Sequence, residues 1–327
     1  MNPVERVLRR VDRFQQGRRP LGFVFGVVKK FGDDRGGSLA ATLAYYGFIS
    51  LFPLLLVVVT VLGFVLHGNR SLQRDLIDSA LGDFPVIGTQ LRNNVKALGG
   101  NGLALAIGLL TSLWGALGVT QAAQHTMAEV WAVPLGDRPG FLPRLARGVL
   151  LFTVLGLAVV ATTLYASFGT VEASGVLAIL NMLVTVGLNI ALWTAAFRIL
   201  TPRQIATRKL VPGAALGGIA WTLLQLLGTY LISNQLRHTS EVYGFFAIVL
   251  GLLWWLYLAA LIAVYCAEVN AVLSKRLWPR SLVQPPLTGP DQRALRDAAK
   301  AKERFPEQEV DVTFTAPSAP TASDPDQ

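Results

Sequence analysis

Six stretches of this sequence contain no Asp, Glu, Lys or Arg: 36–69, 97–128, 148–171, 173–197, 210–236 and 242–267. A helix needs about 20 apolar residues to cross a bilayer, and every stretch is longer than that. Lipid offers no hydrogen bonds to the backbone, so a spanning segment must satisfy its own peptide groups as a helix or pair them in a closed barrel. These lengths suit helices. The expected fold is all-α: an integral membrane bundle of six helices near 39–66, 102–124, 148–168, 175–198, 211–233 and 244–270, with short amphipathic interfacial helices. Residues 1–38 make a basic cytoplasmic N-terminus, 39–273 the six-helix domain and 274–327 a polar, largely disordered tail. Only 15% of the 327 residues are charged and 52% are hydrophobic, too little charge to coat a soluble protein.

Basic residues orient the bundle, because Lys and Arg stay on the cytoplasmic side. With the N-terminus inside, 24 of the 29 Lys and Arg fall in cytoplasmic segments and 5 in outer loops. Both termini are therefore expected in the cytoplasm. The net charge of +9 then belongs to topology and to anionic lipid headgroups, and no nucleic-acid partner is expected. The polar, Arg-rich N-terminus does not read as a cleavable signal. Cys266 is the single cysteine, which excludes an intrachain disulfide and a cysteine-based metal site.

Residues 1–20 read as basic and mobile. In 21–32, LGFVFGVVKKFG, apolar residues recur at helical spacing, with Lys29 and Lys30 on or near the other face. This is either an interfacial helix on the cytoplasmic leaflet or the cytoplasmic start of the first span. The outer loop 67–101 holds two short apolar-faced helices broken at Gly82, Phe84 and Pro85. Trp131, in EVWAVP, stands where a tryptophan anchors at the interface. Gly213 and Gly217 form a G-x-x-x-G that lets a neighbouring helix come close. DQRALRDAAKAKERF in the tail suits a short helix.

The segment LAYYGFISLFPLLLVVV, 43–59, places two tyrosines, a serine and a proline in an apolar run. Pro53 frees a carbonyl that Ser50 can satisfy, and the Tyr45 and Tyr46 hydroxyls need partners at that depth. A polar cavity is expected, bordered by Tyr45, Tyr46, Ser50, Pro53, Asn189, Gln225 and Glu268. Taken singly, each Asn or Gln reads first as a hydrogen bond between helices, worth about 0.6 kcal/mol. Glu268, near the inner end of helix six, needs a cation, and Arg198 or Arg35 is the expected partner, in an ion pair or a headgroup contact.

At these residues the chain resembles the YihY/BrkB family of bacterial inner-membrane proteins. Asp34-Arg35, Leu43-Ala44-Tyr45-Tyr46, Ser50 and Phe52-Pro53-Leu54-Leu55 match its pattern. So do Trp131, VPGA at 211–214, Trp221, Tyr230, Tyr243-Gly244 and YCAEVNAV at 265–272. The similarity spans about residues 30–275. It implies a six-helix plasma-membrane protein with both termini inside. Members have carried the name ribonuclease BN, others are tied to virulence, and transport of lipid or envelope precursors has been suggested for relatives.

Hydrolysis by a metal needs clustered His and carboxylate ligands. His67, His125 and His238 are far apart and form no ligand motif. His125 and Glu129 make an i,i+4 pair that reads as a solvated helix end. No nucleotide-binding G-x-x-x-x-G-K-[ST] and no G-x-S-x-G occur. Neither catalytic residues nor a metal or cofactor is expected. The expectation is a transporter or flippase-like protein for a lipid, envelope precursor or small solute. The rival is a scaffold that docks envelope proteins, and self-association into a homo-oligomer is left open.

Overall fold

The computed structural model describes residues 3–65, 102–168, 175–202, 204–235, 244–305 and 307–315. Residues 67–101, expected to form the outer loop, lie outside the described residues with His67 and His238, as do 316–327. Among those described are α1 (Pro3–Gly17), α2 (Arg19–Asp33), α3 (Gly36–Val65), α4 (Gly102–Val130), α5 (Phe141–Phe168), α6 (Val176–Leu200), α7 (Val211–Gln235), α8 (Gly244–Lys275) and α9 (Gly289–Lys300), with short 3-10 turns at Leu135–Asp137 and Thr207–Lys209. No strand occurs among them. Six of these helices, α3 to α8, are 25 to 32 residues long. Four stretches, Phe141–Ala158, Ile179–Leu200, Val211–Gly228 and Val249–Lys275, are long and apolar enough to cross a membrane.

Local sequence sets the helix ends. Pro20 stands in the first turn of α2, where its missing N–H costs nothing. Arg35 then takes a left-handed φ of +53° and separates α2 from α3, so 21–32 is a helix of its own. The chain closes in at once, since a Cβ on Gly36 would run into the Phe31 ring. α9 opens on a capping box, Thr288 with Asp291.

The bundle packs through small residues. Gly213 on α7 faces the Cys266 carbonyl and the Asn270 side chain of α8, and Gly217 faces the Trp193 ring of α6. A methyl group at either position would collide. Both approaches are internal to the chain and go to two different neighbours. Asn270 then bridges α8 to the start of α7: its Oδ1 accepts from the Gly213 amide at 2.7 Å, and its Nδ2 donates to the Leu210 carbonyl at 3.0 Å. The largest buried cluster gathers Met127, Val130, Trp131, Phe197, Leu200, Leu210, Ala214 and Ala267, where α4, α6, α7 and α8 converge.

Three sequence expectations change here. Trp131 is 4% exposed and belongs to that core rather than to an interface, because α6 and α8 close over it. Within residues 1–20, Pro3–Gly17 form α1, and α1 is docked: Gln15 donates to the Arg280 carbonyl at 2.7 Å, and Asp12 accepts from the Leu282 amide at 3.0 Å. Residues 277–300, read as part of a polar tail, fold back on α2 and α8, with Val27, Val272 and Leu277 in one cluster.

Candidate functional site

The charged residues converge where α2, α4, α8 and α9 meet. Lys30 is on the buried side of α2, not on the open one that its sequence context suggested. Its ammonium lies 3.2 Å from Glu268 and also contacts Asp34 and the Val130 carbonyl. Burial acts to lower the Lys30 pKa, but Glu268 and Asp34 outweigh it and hold the amine above its ordinary value. Lys30 therefore stays charged. Glu268 is fully enclosed. Its partner is Lys30, in place of Arg198 or Arg35. Arg198 instead donates to the Ile205 carbonyl at 2.7 Å, tying off the end of α6. The sequence reading missed Lys30 because α2 looked like a surface helix, and only its packing on α8 turns that lysine inward.

A second ionic cluster fixes α9. Asp291 is fully buried. It accepts from the Ser281 hydroxyl at 2.7 Å, the Ser281 amide at 3.0 Å, the Thr288 hydroxyl at 2.7 Å and the Arg280 guanidinium at 2.8 Å. Lys29 adds a contact at 3.3 Å. Burial alone would raise the Asp291 pKa, but these donors overrule it and hold the carboxyl well below the usual range. Arg280 also reaches Asp33 at 2.7 Å, so one arginine links α2 to α9.

Between these clusters opens a cavity of about 650 Å³. Its walls carry Lys30, Asp33, Asp34, Arg35, His125, Glu129, Lys275, Arg280, Asp297 and Lys302. Most of these charges are already paired. Lys275 holds Asp297 at 2.9 Å and the Trp131 carbonyl at 2.8 Å. Glu129 holds Arg138 at 3.0 Å, and Arg138 also contacts His125 at 3.2 Å. Arg35 and Lys302 have no side-chain hydrogen bond or ion pair to the described residues. Two non-glycine residues of the wall, Arg35 and Ala132, take left-handed φ values of +53° and +48°. Both follow the end of a helix, where left-handed backbone costs about 1–2 kcal/mol.

Of the residues expected around a polar cavity or its ion pair, only Arg35 lines this one. Tyr45 and Tyr46 are 57% and 40% exposed, packed edge to face with ring centres 5.5 Å apart. The Tyr46 ring covers Gly118 of α4. Ser50 donates to the Gly47 carbonyl at 2.8 Å, inside its own helix and not to the carbonyl that Pro53 frees; α3 continues through Pro53. Asn189 on α6 donates to Thr222 on α7 at 3.2 Å, a bond between helices. Gln225 is exposed one turn further along α7. Tyr45, Tyr46, Ser50 and Asn189 thus do not line this cavity, and the charges at the helix ends do.

Among the described residues no group of three His, Cys, Asp or Glu could hold a metal ion.

The chain is similar to the inner membrane protein YhjD of Escherichia coli, at 21% identity over 80% of this chain and 84% of that one. It is also similar to the membrane protein Smlt0865 of Stenotrophomonas maltophilia, at 26% identity over 84% of this chain and 66% of the relative. A third relative, from Bacillus subtilis, bears the name putative ribonuclease-like protein YfkH, at 23% identity over 78% and 96%. No solved structure matches the chain. The model of the virulence factor BrkB family matches residues 27–286, a range that runs from α2 past Arg280, and the chain belongs to this family of membrane proteins.

Proposed function

We propose that the chain crosses the plasma membrane six times with both termini in the cytoplasm, and that it is a transporter or flippase-like protein for an anionic lipid, envelope precursor or small solute. The cavity at the meeting of α2, α4, α8 and α9 carries this reading. Its volume of about 650 Å³ lies in the range of small-ligand sites. Its paired charges set the shape, while Arg35 and Lys302 offer cations to an incoming anion. Arginine suits phosphate especially, because its planar donors bind two oxygens at once.

Placed by the distribution of basic residues, the cavity opens to the cytoplasm. Cargo would enter there from the inner leaflet or from solution. The test is flux in proteoliposomes across lipid and solute classes, for the wild type and for Arg35→Gln, Lys302→Gln. Flux that the double variant loses while keeping its melting temperature supports the reading. An absence of flux for every cargo class, with an intact bundle, favours a scaffold that docks envelope proteins.

A further inference from the structure

α1 meets the rest of the protein with its polar side. Asp12 and Gln15 are buried and bonded to the strap at 280–282. Val7, Val11 and Phe14, spaced as one stripe of a helix, are left open at 62%, 48% and 53% exposure. A helix docked in water would turn that stripe inward, because each buried apolar side chain gains free energy. α2 repeats the pattern. Gly22 lies against Pro279, Gly26 against Trp278 and Lys30 against Glu268 of α8, while Leu21, Val24 and Val28 remain exposed.

Two further observations decide what covers these faces. Arg6, Arg10 and Arg13 run beside the α1 stripe one residue behind it and are exposed, and Arg18 lies over the Phe14 ring at 4.4 Å. An apolar stripe edged with arginine matches an anionic bilayer surface. The level also fits. Phe31 of α2 stacks on Tyr265 at 4.0 Å, and Tyr265 belongs to the membrane-crossing stretch Val249–Lys275. α2 therefore runs beside the end of a membrane-crossing helix.

We propose that α1 and the outer face of α2 lie flat in the headgroup region of an anionic leaflet, with Val7, Val11, Phe14, Leu21, Val24 and Val28 in the lipid and the arginines on phosphate. Such a hairpin holds the strap and α9 against the membrane surface. The inference does not depend on what, if anything, the cavity carries.

The experiment uses the full chain in nanodiscs, with Cys266 replaced by alanine and one nitroxide label at a time at Val11, Phe14, Val24, Arg10 or Arg13. Collisions with oxygen report lipid, and collisions with a water-soluble nickel chelate report solvent. The expected result is an oxygen-to-nickel ratio several-fold higher at Val11, Phe14 and Val24 than at Arg10 and Arg13. Replacing the anionic lipid by a zwitterionic one should lower that contrast. Nickel access at all five positions would overturn the proposal. Protection from both reagents with dipolar broadening between labels would overturn it too, since a second copy of the chain would then be the cover. A contrast indifferent to headgroup charge would remove the anionic selectivity.

Discussion

The Lys30 ammonium lies 3.2 Å from the Glu268 carboxylate, and both side chains are buried. Asp34 shares the same lysine, so one cation serves two carboxylates from α2 and α8. The contact to Glu268 is a close pairing without a well-directed hydrogen bond. Removing one partner of such a pair costs about 3–5 kcal/mol, because the other is left buried and unpaired. Lys30→Met should therefore lower the melting temperature in detergent more than Glu268→Gln does. The double variant Lys30→Met, Glu268→Leu should recover part of the loss. Equal, small effects in all three would show that the pair adds no stability.

Asp291 gives a pH dependence of definite sign. Its folded pKa lies below the ordinary value of 3.8, so the stabilisation is complete above that value and fades as pH falls below it. Asp12 acts in the same direction. Burial would raise its pKa, but the Leu282 amide and the Gln15 and Gln16 side chains lower it. The docking of α1 and α9 should thus hold from neutral pH to about pH 4 and loosen below. A nitroxide at Lys300 should be immobile at pH 7 in the wild type and mobile at pH 7 in Asp291→Asn. A label that stays immobile in the variant would show that α9 is held by apolar packing.

Asn270 is the hinge pin between α7 and α8. Asn270→Leu leaves the Gly213 amide without its partner, at about 1–3 kcal/mol, while the Leu210 carbonyl keeps its bond from the Ala214 amide. Gly213→Ala should cost about 1–3 kcal/mol by overpacking, since its methyl group meets the Cys266 carbonyl. Gly217→Ala meets the Trp193 ring instead, and a ring can shift, so it should cost less. Thermal melts of the three variants give the order, and a Gly217 variant worse than the Gly213 variant would reverse the assignment.

The proposed topology has a direct check. A cysteine at Ser79, in the 67–101 loop, should react with an impermeant thiol reagent once the outer envelope is opened. A cysteine at Ser318 should not. The opposite pattern would invert the orientation and place the cavity outside.

The sequence by itself determined the membrane, the helical class and the family. Long runs without charge admit few other structures, since the backbone must be satisfied in lipid, and the Asp34-Arg35 and YCAEVNAV motifs carried the resemblance. It also marked the close-packing residues Gly213 and Gly217, because a missing side chain acts within one helix turn. Tertiary structure alone decided which charges meet. Glu268 and Lys30 are 238 positions apart in the sequence, and no local pattern reports that α2 turns its lysine toward α8. Trp131 followed the same rule: at a helix end an aromatic ring suits an interface or a core equally well, and the closure of α6 and α8 put it in the core. The Asp291 cluster was equally hidden. Its donors come from three segments, and a carboxylate in a charged stretch reads as a surface group until the chain folds back to bury it.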